Sequence, residues 1–210
     1  MTKFNIFNII IFVCFCYVNC SASKKNEVVW DNESKALIDK DRNLQWQLSM
    51  IADEWRVAEH FTLPKNAQFC AVADEYAIVV MYSTYPIPEN QLGESLWNGH
   101  KDIKNAFKDA AVLQASIFPG IKYSEPIIEN IYYLFKEAVC ITISCDISDA
   151  RQSTNDAIPW VFRSYSFVKG KEAIQVMVMF PQVFYDIFGD EPFDDIFCRF
   201  SYIDATKELK

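Results

Sequence analysis

From Val139 to Ile147 the chain alternates without a break: Val139, Ile141, Ile143, Cys145 and Ile147 are apolar, and Cys140, Thr142, Ser144 and Asp146 fill the places between. Successive side chains of a strand point to opposite sides, so this period of two predicts a β-strand with one buried and one polar face. Such a strand needs sheet partners and an apolar layer on its inner side. Two partners stand downstream, where the runs Trp160 to Val168 and Ala173 to Phe180 flank Lys169-Gly170-Lys171-Glu172. A glycine-containing turn between two such runs predicts a hairpin. Upstream, Tyr76 to Tyr82 is apolar in both alternating sets, which favours a central strand covered on both faces over the alternative of a buried helix, and Pro86 and Pro88 stop it.

Other segments read as helices. Leu37, Leu44, Leu48, Ile51, Trp55 and Ala58 recur at steps of seven, four, three, four and three, with Asp41 as a miss. That spacing predicts an amphipathic helix over 34–60, with Asn32 as its cap. Asp102 to Ile117 reads as a second helix through Ile103, Phe107 and Ala110. Ser124 can cap a third, with Pro126 in its first turn and Ile127, Ile131, Leu134 and Ala138 on one side. Pro181 opens a short helix to Phe188 that Gly189 ends, and Phe193, Ile196, Phe197 and Phe200 have helical spacing, although 197–203 also suits an edge strand. The order predicts a single α+β domain, its amino-terminal helices packed on a mostly antiparallel sheet.

Ahead of that domain, Lys3 precedes an apolar run from Ile6 to Val18 interrupted only by Asn8. The run is shorter than the ~20 residues a spanning helix needs and is followed by polar residues, the pattern of a removed signal peptide. Residues 1–19 are read as the leader, 20–30 as a tether and 31–210 as the domain. Two processing routes compete. Cleavage at 19/20 makes Cys20 a lipid attachment point, as in a bacterial lipoprotein, although Tyr17 and Asn19 depart from the usual box. Cleavage at 22/23 uses Cys20 and Ala22 as the small residues of an ordinary site. Loss of the leader removes Lys3 alone and leaves 19 Lys and Arg against 28 Asp and Glu, a charge of −9. An acidic chain without a basic, aromatic-interleaved cluster is disfavoured for nucleic acid. It meets a membrane only through a lipid on Cys20.

Outside the leader and Cys20 the cysteines are Cys70, Cys140, Cys145 and Cys198. Export would permit disulfides. Cys140 and Cys145, five apart in a strand, lie roughly 16 Å apart and cannot pair, so Cys70 with Cys198 is the bridge to test. The plainer reading makes Cys145 a small core residue and Cys140 a surface-facing thiol. No close Cys or His pair suggests zinc, and no cofactor motif is present.

His60 and His100 are the only histidines, so any nucleophile scheme of the Ser-His or Cys-His kind passes through one of them. His60 falls at the end of the first predicted helix, where an imidazolium suits the helix dipole. His100 follows Trp97 and Gly99 in a loop that begins near Tyr85 and is rich in interface-forming residue types. The segment 185–195 gathers Asp186, Asp190, Glu191, Asp194 and Asp195 without the spacing of a calcium loop. If these acids act, a basic partner is their natural target. The resulting expectation is an exported envelope protein, periplasmic or extracellular, that binds a protein or small ligand through Tyr85, Trp97, His100, Asp194 and Asp195. The alternative is a hydrolase or transferase working through His100 or His60.

Overall fold

In the computed structural model the described residues are 28–48, 52–57, 67–87, 89, 101–115, 122–133, 136–148 and 157–204. Within them the chain runs β1 (Val28–Asp31), β2 (Ala36–Asp39), β3 (Leu44–Gln47), β4 (Arg56–Val57), β5 (Ala67–Ala73), β6 (Ile78–Pro86), α1 (Lys101–Ala115), β7 (Lys122–Tyr123) and β8 (Ile127–Tyr133). It continues β9 (Lys136–Ser148), β10 (Ala157–Lys169), β11 (Glu172–Pro181), α2 (Gln182–Phe188), α3 (Glu191–Cys198) and β12 (Phe200–Tyr202). A small sheet has the order β1-β2-β3-β12, and a large one the order β4-β5-β6-β11-β10-β9-β7, with β8 also on β9. Every pairing is antiparallel.

The large sheet is buried on both faces. Along β11, Ile174, Val176, Val178 and Phe180 enter one core while Ala173, Met177 and Met179 enter the other. The first core is closed by Leu37, Leu44 and Trp46 of the small sheet, Phe200 of β12, and Phe193, Ile196 and Phe197 of α3. The second is closed by Phe107 and Ala111 of α1. The two sheets are tied by Arg42, in the turn after β2. Its Nη1 donates to Asp39 Oδ2 at 2.8 Å, and its Nε and Nη2 donate to the two Glu172 oxygens at 2.8 Å each. Tyr82 of β6 donates to the same Asp39 oxygen at 2.7 Å.

Several expectations fail. The described residues are mostly β, not α+β, and among them no amino-terminal helix packs on a sheet. Residues Leu37, Leu44, Leu48 and Trp55 are buried as the helical period required, but the first three belong to the β-meander or its margin. Leu44, Trp46 and Leu48 are buried while Gln45 and Gln47 are half-buried, which is a period of two. Turn chemistry breaks the segment before a helix can form. Asp31 accepts from the Glu33 N–H at 3.0 Å and from Ser34 Oγ at 2.6 Å, and Asp39 accepts from the Arg42 N–H at 3.1 Å. Aspartates that capture the backbone this way favour turns, and Lys35 and Asn43 complete them at φ of 50° and 55°. Asn32 caps nothing; its Oδ1 accepts from Trp30 Nε1.

The third expected helix is also a strand. Ile127 to Tyr133 pairs with β9, where β-branched and aromatic side chains suit the pleat. The strand over 139–147 is present, but its supposed wet face is covered. Cys140 and Thr142 are buried in the sheet interior, and only Asp146 of that set is exposed. All four cysteines are free thiols. Cys70 belongs to the α1-side core, whereas Cys198 ends α3 on the opposite side of the large sheet, so the two have no path to a bridge.

β6, the β10–β11 hairpin, α1 and α2 stand where the pattern put them, whereas the strands β4, β5 and β7 were not expected. β6 is buried on both faces, the β10–β11 turn uses Gly170 at φ 61°, and α2 ends at Gly189, whose N–H donates to the Tyr185 carbonyl.

Candidate functional site

The α3-facing side of β10 carries Val161, Arg163, Tyr165 and Phe167, so a guanidinium stands in an otherwise aromatic and aliphatic row. Cys140 lies opposite Tyr165 and Thr142 opposite Arg163 on β9. Arg163 is 4% exposed. A buried cation needs paired charge and hydrogen bonds, and α3 with its N-cap residue delivers the charge. Arg163 Nε donates to Tyr165 Oη at 2.9 Å, Nη2 donates to Asp194 Oδ1 at 2.8 Å, and Nη1 donates to Asp190 Oδ1. Tyr165 Oη donates to Asp194 Oδ1 at 2.5 Å, while its ring stacks on Phe197 with centroids 4.0 Å apart. The two aspartates remain 50% and 48% exposed, so the cluster is open to solvent on their side.

Burial holds the Tyr165 phenol protonated well above its ordinary range. It also pushes the Cys140 thiol up to about 12, against the pull of Arg163. Cys145, on the α1-side face, is likewise pushed up to about 12 by burial, and Cys198 is raised by burial and by Asp195 and Asp194. A thiol acts as a nucleophile through its thiolate. These three are therefore poorly activated. Thr142 Oγ1 is buried beside Arg163.

Next to this cluster, α2 has no buried residue at all. Val183, Ile187 and Phe188 are each more than half exposed, and Phe184 stacks on Phe188. Between positions 182 and 199 there are five acids and one base, Arg199. Arg199 is occupied by Asp195 at 3.0 Å, one turn away. The result is an apolar ridge beside an acidic rim.

The expected site residues are placed unevenly. Cys20, His60, Trp97 and His100 lie outside the described residues. Tyr85 is on β6 and points into the α1-side core, edge-on to Phe107 at 6.1 Å. Its hydroxyl is buried without a partner, and burial raises its titration range. Asp194 reaches the buried network, while its neighbour Asp195 pairs at the surface. Arg163 and the bare face of α2 were not among the expected site residues. A lone arginine in the inward set of a strand, and a short helix whose apolar stripe Val183, Phe184, Ile187 and Phe188 adjoins a run of acids, are the signals that mark them.

Among the described residues no group of three or more His, Cys, Asp and Glu side chains could hold a metal ion. None of the described helices is long and apolar enough to cross a membrane.

No protein-family model matches the chain, and no curated protein matches its sequence. Among solved structures, the chain is similar to the solution structure of cyanobacterial PsbP (CyanoP) from Synechocystis sp. PCC 6803. The TM-score is 0.56 and the identity 10%, over 88% of this chain and 98% of that one. At that identity the likeness is one of fold.

Proposed function

We propose that the chain is an exported cell-envelope protein, free or anchored by a lipid on Cys20, that binds a basic and partly apolar protein segment through α2 and its acidic rim. The observation that carries this reading is the exposure of Val183, Ile187 and Phe188 beside Asp186, Asp190, Glu191 and Asp194. Contiguous exposed apolar surface with a polar rim marks interaction sites. Excess like charge at that rim steers an oppositely charged partner. The raised thiols support binding over catalysis, since the described cysteines Cys140, Cys145 and Cys198 are held protonated. The inward aim of Tyr85 favours the α2 face over the loop that begins beside it. Support for export comes from the leader pattern of residues 1–19.

Titration with two synthetic helical peptides tests the reading, one built of Lys and Leu and the other of Glu and Leu, followed by fluorescence anisotropy. The Lys/Leu peptide should bind at least about tenfold more tightly. Adding salt should weaken it. Ile187→Ser with Phe188→Ser should cost at least another factor of about ten, with unchanged circular dichroism because both residues are exposed. Equal binding of the two peptides, or an unaffected double variant, refutes the proposal. Intact mass of the membrane fraction separates an acylated Cys20 from a terminus at Ser23.

A further inference from the structure

The two edges of the large sheet are finished differently. At one, β4 is two residues long, and Arg56 is clamped by both oxygens of Asp74 at 3.1 and 2.7 Å. A short, charged edge resists further pairing. At the other, β8 is seven residues long and pairs with β9 alone among the described strands. It contains no proline, lysine or arginine, and its only charge is Glu129. Ile127, Ile128 and Tyr132 are 61%, 42% and 67% exposed. Nothing in its composition guards this edge, and a long apolar edge strand is a template for strand addition.

The sequence of β8 also selects its partner. When two copies of one strand meet antiparallel about a two-fold axis, the axis stands perpendicular to the sheet and each face continues into the same face of the other copy. Paired residues must then point the same way, so the axis passes through a residue and not between two. Ile127, Glu129 and Ile131 share the face of Thr142, Cys140 and Ala138, and Ile128, Asn130 and Tyr132 share the opposite one. An axis at Glu129 sets that carboxylate against its own copy. Axes at Ile128 or Ile131 shorten the ladder. An axis at Asn130 uses all seven positions, aligns Ile128 with Tyr132, and places Glu129 opposite Ile131. Aromatic with β-branched pairs stabilise a ladder, whereas like charges directly opposite destabilise it.

We propose that β8 is a self-association strand: two copies of this chain pair across it antiparallel, with Asn130 on the two-fold axis, joining two large sheets into one. The inference is independent of the peptide-binding role assigned to α2.

Disulfide trapping in the full chain, with Cys14, Cys16, Cys20 and Cys198 changed to serine, tests both the contact and its register. Asn130→Cys should cross-link to a dimer on mild oxidation, because directly opposed Cα atoms lie about 4.5–5.5 Å apart. Ile127→Cys should not, because the two copies of that position are separated by six residues, about 20 Å. In parallel, sedimentation of the unmodified chain should show a concentration-dependent dimer, and Ile128→Lys should weaken it at least about tenfold, with the same thermal midpoint as the unmodified chain at dilutions where both are monomers. A chain that stays monomeric up to about 1 mM overturns the proposal. So does a dimer indifferent to Ile128→Lys, or one that cross-links at 127 and not at 130.

Discussion

Two buried arginines in this protein have nearly the same company and opposite consequences. Arg42 and Arg163 each sit within hydrogen-bonding range of an aspartate that also accepts a tyrosine hydroxyl, Asp39 with Tyr82 and Asp194 with Tyr165. Around Arg42 the Asp39 carboxylate is 1% exposed and the Glu172 carboxylate 39%, so one of its two anions is sealed where the two sheets meet. Around Arg163 both aspartates, on α3 and its N-cap, are about half exposed, and the preceding α2 buries none of its residues. The difference teaches that burial of the cation does not decide what a charge cluster does. Access to its anions does: a cluster with a sealed anion fixes two layers together, and one whose anions are all half exposed leaves negative charge facing outward for a partner.

The largest effect should come from Arg42→Ala, which strands Asp39 as an unpaired buried carboxylate. Loss of one partner from a buried pair costs about 3–5 kcal/mol. Urea unfolding should show that loss, and a cost below about 1 kcal/mol would mean that Asp39 rehydrates and the two clusters are alike. Arg163→Ala should cost less, about 1–3 kcal/mol, because Asp190 and Asp194 can turn to water while only Tyr165 loses a buried partner. Equal costs for the two variants would break the comparison.

Alkali should separate the regions in another way, since Cys140 adjoins the Arg163 cluster. Thiols in the unfolded chain ionise around their ordinary value of 9.0, whereas the folded chain keeps protons on Cys140 and Cys145 up to about 12. Unfolding between those values releases protons, so the stability contribution is complete below about pH 9 and declines as pH rises toward 12. Each thiol should remove up to about 1.4 kcal/mol per pH unit in that window. Thermal midpoints followed by circular dichroism from pH 8 to 10.5 should fall accordingly. With Cys140→Ala and Cys145→Ala combined, the decline should be shallower from pH 9, where Cys198 is left among the raised thiols, and steepen near the ordinary tyrosine value of 10.0, where Tyr82 and Tyr165 take over.

The sequence was readable where local chemistry and tertiary burial agree. The β10–β11 hairpin has alternation on both arms and a glycine at its positive-φ turn, so two independent signals coincide. In the amino-terminal segment they conflict. The helical series Leu37, Leu44, Leu48 and Trp55 collects residues that are all buried, yet Asp31 and Asp39 close turns inside the span. For β8 the periodicity of Ile127 and Ile131 fits either state, and the open edge of β9 decides it, a fact no local window contains. Arg163 was legible only as an anomaly, because its partners Asp190 and Asp194 lie 27 and 31 residues away. Adjacent acids were the hardest to tell apart. Neighbours on a helix point about 100° apart, which sends Asp194 to the sheet and Asp195 to Arg199 at the surface.

Within the open cluster the two aspartates should themselves be unequal, and this smallest effect is the sharpest check on access as the deciding variable. Asp194 accepts from the buried pair Arg163 and Tyr165, whereas Asp190 takes one guanidinium N–H and the hydroxyl of the half-buried Tyr185 and sits at the rim before α3. Asp194→Asn should therefore cost about 1–2 kcal/mol, since the amide cannot match the charge on a buried donor pair. Asp190→Asn should stay within about 1 kcal/mol, as half-exposed ion pairs do. Both variants remove one negative charge from the rim, so both should weaken the Lys/Leu peptide to a similar degree despite unequal stability. If instead peptide affinity tracks stability across the pair, the rim acts by holding α3 in place, and the outward charge of the Arg163 cluster has no separate part in recognition.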